Sequence, residues 1–428
     1  MATRGEHLVR ADRRFATGAG IIGRIAAPAF KRVLDYLHDR LERGGIEASL
    51  PDGRERRIGF HRPGPVAVVT IHSWLALVRL VTSGSVGWYK AWAAGEWSSP
   101  DPVPLFEIFM LNSRSLGEIG RAKGVQRFVN TMAHRLRDNG IGQARENIAA
   151  HYDLGNDFYA EWLDPSMTYS SARFVPGDTL ERAQLRKIGL LLDRLNLRPG
   201  DRLLEIGSGW GTLAIEAARR GVKVVGLTLS AEQKSWAEEK IAAAKLSNLI
   251  EIRLQDYREI CEQFDAVASV EMVEAVGERW WPAYLDCIAA NLKPGGHAAL
   301  QFISIRHELF ESYSRNADFI QAYIFPGGML LDEPRFEALA KRRGLGWEER
   351  DGFGLDYAKT LEQWRERYDR AVHDGRLSGF SERFHDLWRY YLMYCEGGFR
   401  GGGIDVAQIT MTKAYPSTRN RLPVSASP

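Results

Sequence analysis

Cysteine is scarce. The chain has three in 428 residues, Cys261, Cys287 and Cys395, too far apart for a zinc or disulfide spacing. A disulfide-stapled scaffold is excluded, no metal is expected, and a reducing cytoplasm is the expected setting. The ten His are scattered and assemble no triad. Long hydrophobic runs are also lacking. The longest charge-free apolar stretch of the N-terminal part is Val66 to Val78, where a membrane-spanning helix needs roughly 20 residues. The start is Arg-rich but has no apolar core followed by a small-residue cleavage site, so no signal peptide is expected. Membrane contact, if the chain makes it, is expected to be peripheral, on the inner face. Repeats and low-complexity tracts are missing too.

What is present is an ordinary globular composition, 45% hydrophobic and 26% charged, long enough for two domains. The net charge of +3 hides an asymmetry. Residues 1–150 carry 22 Lys and Arg against 14 Asp and Glu, and the remainder is acidic. A basic part suits an anionic surface, of lipid or nucleic acid, but also an ordinary solvated face. From Ile21 to Leu41 apolar residues recur at helical spacing with Arg24, Lys31 and Arg32 between them. Such a basic amphipathic helix suits a membrane surface or packing on its own domain. Residues 1–20 read as mobile. Residues 58–95, rich in Trp, read as short strands and turns. Together, 1–130 is expected to be a small α+β accessory domain that meets lipid, 131–150 a helical connector, 151–415 the main domain and 416–428 a flexible tail.

From residue 200 strand and helix alternate: "RLLEIG", "TLAIEAARRG", "VKVVGLTLS", a helix, "IEIRLQDY", "FDAVASVEM", a helix, and "HAALQFISI". This predicts an α/β, doubly wound, Rossmann-like parallel sheet with helices on both faces. "LKPGG" (292–296) reads as a helix stop and turn, 306–345 as a lid, and "GGGIDVAQITMTK" (401–413) as a last strand.

The strongest local signal is "EIGSGWG" (205–211), between a strand and a helix. Gly207, Gly209 and Gly211 let backbone N–H groups approach a ligand. The spacing is not G-x-G-x-x-G. Glu205 would repel a pyrophosphate but accepts from an amine, and the next strand ends in Thr228 rather than an acid. An amino-acid zwitterion joined to a nucleoside fits better than a dinucleotide. Ser230 and Gln233 fit a capping box, and Gln233 equally fits a ribose contact. Asp256, after the third strand, is placed for an adenine amine or as a solvated strand end.

Several segments together resemble the cyclopropane-fatty-acyl-phospholipid synthases and mycolic-acid cyclopropane synthases. They include "NIAAHYDLGNDFYAEWLDPSMTYSS" (147–171), "LLEIGSGWG" (203–211), "SVEMVEAVG" (269–277), "YIFPGGML" (323–330) and "YYLMYCEGGFRGGGIDVAQ" (390–408). The resemblance covers roughly 140–415 and implies S-adenosyl-L-methionine (SAM) as cofactor and an unsaturated phospholipid acyl chain as substrate. It implies that Tyr169 and Ser170 pack against SAM, that Gly207, Gly209 and Trp210 hold its methionine part, and that Thr228 and Gln233 hold its ribose. It further implies a bicarbonate held by a Glu, a His, a Tyr and backbone. Glu274 and Tyr357 match the Glu and Tyr. Gln301 stands for the His, Ser171 for a Cys, and Ala275 for a His beside the Glu. Cys395 matches a Cys of the active site, although on its own it reads as a buried structural residue.

Attack of an alkene on SAM's methyl leaves a carbocation, which needs a dry site, aromatic faces and negative charge. Loss of a proton from the new methyl closes a cyclopropane. Loss from a neighbouring carbon leaves a methylene or methyl-branched alkene for a partner reductase. The Gln301 and "SVEMVEAVG" pattern resembles relatives that make mid-chain methyl-branched acids, and that resemblance implies the branched product. No RNA-binding signature supports nucleic acid as acceptor, and a homodimer stays open.

Overall fold

The computed structural model describes residues 4–9, 27–117 and 154–415. The expected connector 131–150, the tail 416–428 and the beginnings of both the basic helix and the "NIAAHYD" segment lie outside the described residues.

Residues 4–9 depart from the expected mobile start: Glu6–Val9 is a short helix with Leu8 and Val9 buried, and Arg4 pairs with Asp157. The N-terminal sheet unit follows with helix α1 (Ala27–Arg40). Phe30, Leu34, Leu37 and the following Leu41 are buried in their own core. Each such side chain stabilises by roughly 1.5–3 kcal/mol on leaving water, so this stripe is spent on packing rather than on a membrane. Next come strands β1 (Arg43–Ser49), β2 (Glu55–Gly59) and β3 (Arg62–Ile71). With the short β4 (Trp97–Ser98) they form a sheet of order β2-β1-β3-β4, in which β1 and β3 are parallel. Residues 75–93 depart from the expected strands and turns and form helix α2 (Leu75–Ala93). Leu77, Leu80, Trp88 and Tyr89 fall at helical spacing and are buried, which overrides the β-branched residues between them. Gly84 (φ 59°, ψ −139°) kinks the helix midway.

The larger unit carries β5 (Arg202–Ile206), β6 (Lys223–Thr228), β7 (Ile250–Leu254), β8 (Phe264–Val270), β9 (Leu292–Ile305), β10 (Leu345–Gly352) and β11 (Ile404–Lys413). Their order is β10-β11-β9-β8-β5-β6-β7. β5 to β9 are parallel, and β11 and β10 add antiparallel strands at one edge. The doubly wound α/β sheet is as expected, with two departures. "LKPGG" stops the preceding helix at Asn291 but is itself the start of β9. β10 was not anticipated, because "LGWEERDG" is mostly polar and largely exposed at the sheet edge.

The two units share one core. Helix α3 (Val103–Leu111) lies against the C-terminal helix Glu382–Arg400. The "EGGFRGGG" run makes this possible. A Cβ on Gly397 would meet Phe106 Cβ at 2.4 Å, and one on Gly401 would meet the Glu107 carbonyl oxygen at 2.7 Å. Only hydrogen at those positions lets the two backbones approach so closely.

Candidate functional site

β5 lies between β6 and β8, so the winding direction switches between β5 and β8, and their carboxyl ends open the crevice where α/β sheets bind ligands. The loop from Gly207 to Gly211 follows β5, and residues 271–276 follow β8. Both line one cavity of about 550 Å³.

The glycine-loop end is built as follows. Gly209 (φ +51°) has nothing within 4 Å of a built Cβ, so a side chain there would project into open space while straining the backbone. Gly207 (φ +86°) abuts Met272, whose Cγ would lie 2.8 Å from a Cβ. Glu205, at the end of β5, is buried, and its Oε2 has no hydrogen-bond partner; nor does the buried Ser208 hydroxyl. Burial raises the Glu205 pKa well above the carboxylate range, against the pull of Lys187. Unpaired buried acceptors are costly, so an amine donor fits this position. The residues present therefore suit the amino-acid end of SAM, with Glu205, Ser208 and the glycine-loop backbone as its holders.

The neighbouring groups frame the same end. Trp210 Nε1 donates to Asn156 Oδ1 at 2.7 Å, tying the "LGNDFY" segment to the glycine loop. Tyr169 shares a 2.7 Å hydrogen bond with the Tyr391 hydroxyl and stands among Tyr159, Trp162 and Trp364. Ser170 Oγ accepts from Lys187 Nζ at 2.5 Å. The Ser230 hydroxyl caps the helix Ala231–Ala243 through the Gln233 N–H. The Gln233 side chain does not close the capping box; its Oε1 accepts from Thr228 Oγ1 at 3.0 Å, and both residues line the cavity. Asp256 also lines it, but its carboxylate is engaged by Arg258 at 2.8 and 2.7 Å.

Beyond the cofactor end, three of the expected residues converge on a fourth that was not singled out. Glu271, at φ +48° just past β8, accepts from the Ser171 N–H at 2.9 Å, from Gln301 Nε2 at 2.8 Å and from the Tyr357 hydroxyl at 2.7 Å. Gln301 is held in turn: its Oε1 accepts from Gln408 Nε2 at 3.0 Å, across the β9–β11 pair. Glu274 lies one turn further on. Its Oε1 accepts from the Ile303 N–H, and its buried Oε2 has no partner. Burial and then the Glu271 charge push its pKa up to about 8, so near neutral pH it is mostly a neutral acid. Burial also raises the pKa of Glu271, but Lys187, Tyr357, Gln301 and Ser171 oppose the shift. Ala275 sits in the same short turn as Glu274. Cys395 lines the cavity, and burial pushes its thiol pKa far up, so it is no thiolate.

Glu271, Lys187, Gln408 and Asn156 were missed by sequence reasoning. Two had a readable signal. Glu271 directly follows the fourth parallel strand, at the ligand edge. Lys187 sits on the apolar face of its helix with Ala183, Ile188 and Leu191. It is fully buried, and its pKa is lowered to about 8 by burial against the pull of Glu271, Asp164 and Glu205. Among the described residues no His, Cys, Asp and Glu cluster could hold a metal, and no helix is long and apolar enough to cross a membrane.

Residues 141–409 match the family described as mycolic acid cyclopropane synthetase. The chain is 36% identical over 413 residues to the tuberculostearic acid methyltransferase UfaA1 of Mycobacterium tuberculosis, covering 92% of each chain. It is 39% identical over 265 residues to the cyclopropane-fatty-acyl-phospholipid synthase of Escherichia coli, covering 61% of this chain and 66% of that one. The crystal structure of mycolic acid cyclopropane synthase CmaA1 complexed with SAH and CTAB superposes with a TM-score of 0.60 at 33% identity, over 63% of this chain and 98% of that one. A loop whose buried acceptors suit an amine-bearing cofactor thus coincides with a family match over most of the chain, and the protein belongs to the mycolic acid cyclopropane synthetase family of SAM-dependent methyltransferases.

Proposed function

We propose that this protein adds a one-carbon unit from SAM to the double bond of an unsaturated acyl chain in a phospholipid. The observation that carries the reading is the continuity of the cavity. From the glycine loop it passes Glu271 and Tyr391 and runs on between the two units, past Leu80, Phe106, Met110, Leu309 and Ile320. An apolar gallery joined to a SAM-type loop suits a hydrocarbon chain rather than a polar acceptor. SAM supplies an electrophilic methyl group. The chain's own residues supply the dry surroundings and the aromatic faces of Tyr169, Tyr390, Tyr391 and Phe399 for the positive charge that develops on the alkene.

Among products, a methylene- or methyl-branched chain is favoured over a cyclopropane. The similarity to a tuberculostearic acid methyltransferase over nearly the whole chain and the neutral Gln301 support this. A separate reductase would complete a saturated branch. The lipid would be reached from an anionic membrane surface, supported by the basic balance of residues 1–150. The test is expression in a bacterium rich in monounsaturated phospholipids and lacking cyclopropane synthase, followed by gas chromatography–mass spectrometry of fatty acid methyl esters. A product with one added carbon and a retained double bond supports the reading. A saturated ring overturns the branched product, and unchanged lipids overturn the substrate.

A further inference from the structure

Taken together, the contacts of Glu271 describe an anion site filled by the protein itself. Its carboxylate takes a backbone N–H from Ser171, a side-chain N–H from Gln301 and a hydroxyl from Tyr357. These are three of the four groups that the resemblance assigned to a bicarbonate, Glu274 being the fourth. Each of these three is a donor toward Glu271, and each is held in place by structure outside the site. Ser171 precedes Ala172, whose N–H is fixed by Thr360 Oγ1 at 3.1 Å. The Gln301 amide is oriented by Gln408. Tyr357 is stacked on Phe399 with ring centroids 4.4 Å apart. The backbone of Glu271 is anchored too, its N–H donating to the Gln301 carbonyl at 2.7 Å. The residue pays for this place with a left-handed φ of +48°, a conformation that bulky residues keep only where the surroundings enforce it.

Resting on the acyl-methylation reading above, we propose that Glu271 is the catalytic base of this protein, a built-in carboxylate that removes the proton after methyl transfer and makes an external anion unnecessary. The electron balance is as follows. The alkene π pair forms a bond to the methyl carbon, and the methyl–sulfur bond breaks with its pair staying on sulfur. The neighbouring alkene carbon is left cationic. A C–H bond beside it then gives its electron pair to the cation, as a new double bond or a ring bond. The proton goes to a Glu271 oxygen and from there to water. No oxidant or reductant is consumed.

The neighbouring carboxylate makes the assignment selective. Glu274 holds a single donor and is kept mostly protonated near neutral pH, whereas Glu271 has three donors and the nearby Lys187 to stabilise its anion. Burial raises both carboxyls, but only Glu271 is met by three donors and a nearby ammonium, so it is the one whose anion the surroundings support and the one placed to accept a proton.

The test compares the wild type with Glu271→Gln and Glu271→Gly, using radiolabelled SAM and vesicles of dioleoyl phosphatidylglycerol in buffer stripped of carbon dioxide. The Gly variant relaxes the left-handed backbone, so it is expected to fold, and thermal melting together with SAH calorimetry checks both variants. Wild-type turnover should be unchanged by stripping. Both variants should bind SAH like the wild type yet lose turnover by about 100-fold or more, the scale of a lost general base. Bicarbonate or formate at tens of millimolar should restore the Gly variant, whose vacated space admits the anion, and should leave the Gln variant inactive. Wild-type activity that collapses on stripping overturns the proposal, as does a Gln variant that keeps most of its turnover or a Gly variant that no small anion rescues. A wild type that labels no lipid at all overturns the acyl reading and this inference with it, a result distinct from labelled lipid with unaffected variants.

Discussion

Replacing Glu274 by Gln should change how the stability of this protein depends on pH. The carboxyl is buried, and its pKa rises from 4.5 to about 8, first by desolvation and then by the charge of Glu271. The sign follows from proton counting. Between these two values the unfolded chain has given up the proton and the folded chain has kept it, so the unfolded state binds fewer protons and stability falls as pH rises. One pKa unit is worth about 1.4 kcal/mol, so the wild type should lose about 3 kcal/mol through this group between roughly pH 5.5 and pH 8.5. The variant has no proton to lose. Its amide oxygen can still accept from the Ile303 N–H, at a cost that is the same at every pH. Urea unfolding of both proteins across that range should therefore show a stability difference that moves by about 3 kcal/mol in favour of the variant as pH rises. A difference that stays constant with pH would refute the assignment of Glu274 as a buried neutral acid.

Three further outcomes are expected. Gly209→Val should fold but show no SAH binding by calorimetry at concentrations that saturate the wild type, because its side chain enters the cleft beside Glu205. Gly397→Val should destabilise by about 1–3 kcal/mol or more in thermal or denaturant melts, since its Cβ falls 2.4 Å from that of Phe106 and the two units are forced apart. Lys187→Met should cost about 3–5 kcal/mol, because it removes the buried cation that faces Glu205, Glu271 and Asp164. A Lys187→Met protein as stable as the wild type would show that the lysine is neutral in the fold.

Much of the architecture was legible in the residues. The alternating apolar and helical segments after residue 200 dictate a parallel sheet, because each strand buried on both faces needs a helix to cover it. The glycine spacing with Glu205 separates an amine-bearing cofactor from a dinucleotide, since a carboxylate repels phosphate. Segment 75–93 reads as strand and turn because its Trp-rich, β-branched composition hides a helix that burial in the core stabilises. The face of the N-terminal helix was ambiguous for a related reason. An apolar stripe looks the same whether it meets lipid or a core, and only the packing of Phe30, Leu34 and Leu37 decides.

The active carboxylate belongs to the tertiary structure. Glu271 and Glu274 lie three residues apart in one motif, and nothing in their order says which carboxyl is met by donors. That is decided by Ser171, Gln301 and Tyr357, drawn from three distant segments, and by Gln408, which turns the Gln301 amide toward Glu271 across the sheet. Local sequence determines which strands and turns form, because propensity and periodicity act over a few residues. The protonation state of a buried group is set by what surrounds it in space, and only the fold brings those groups together.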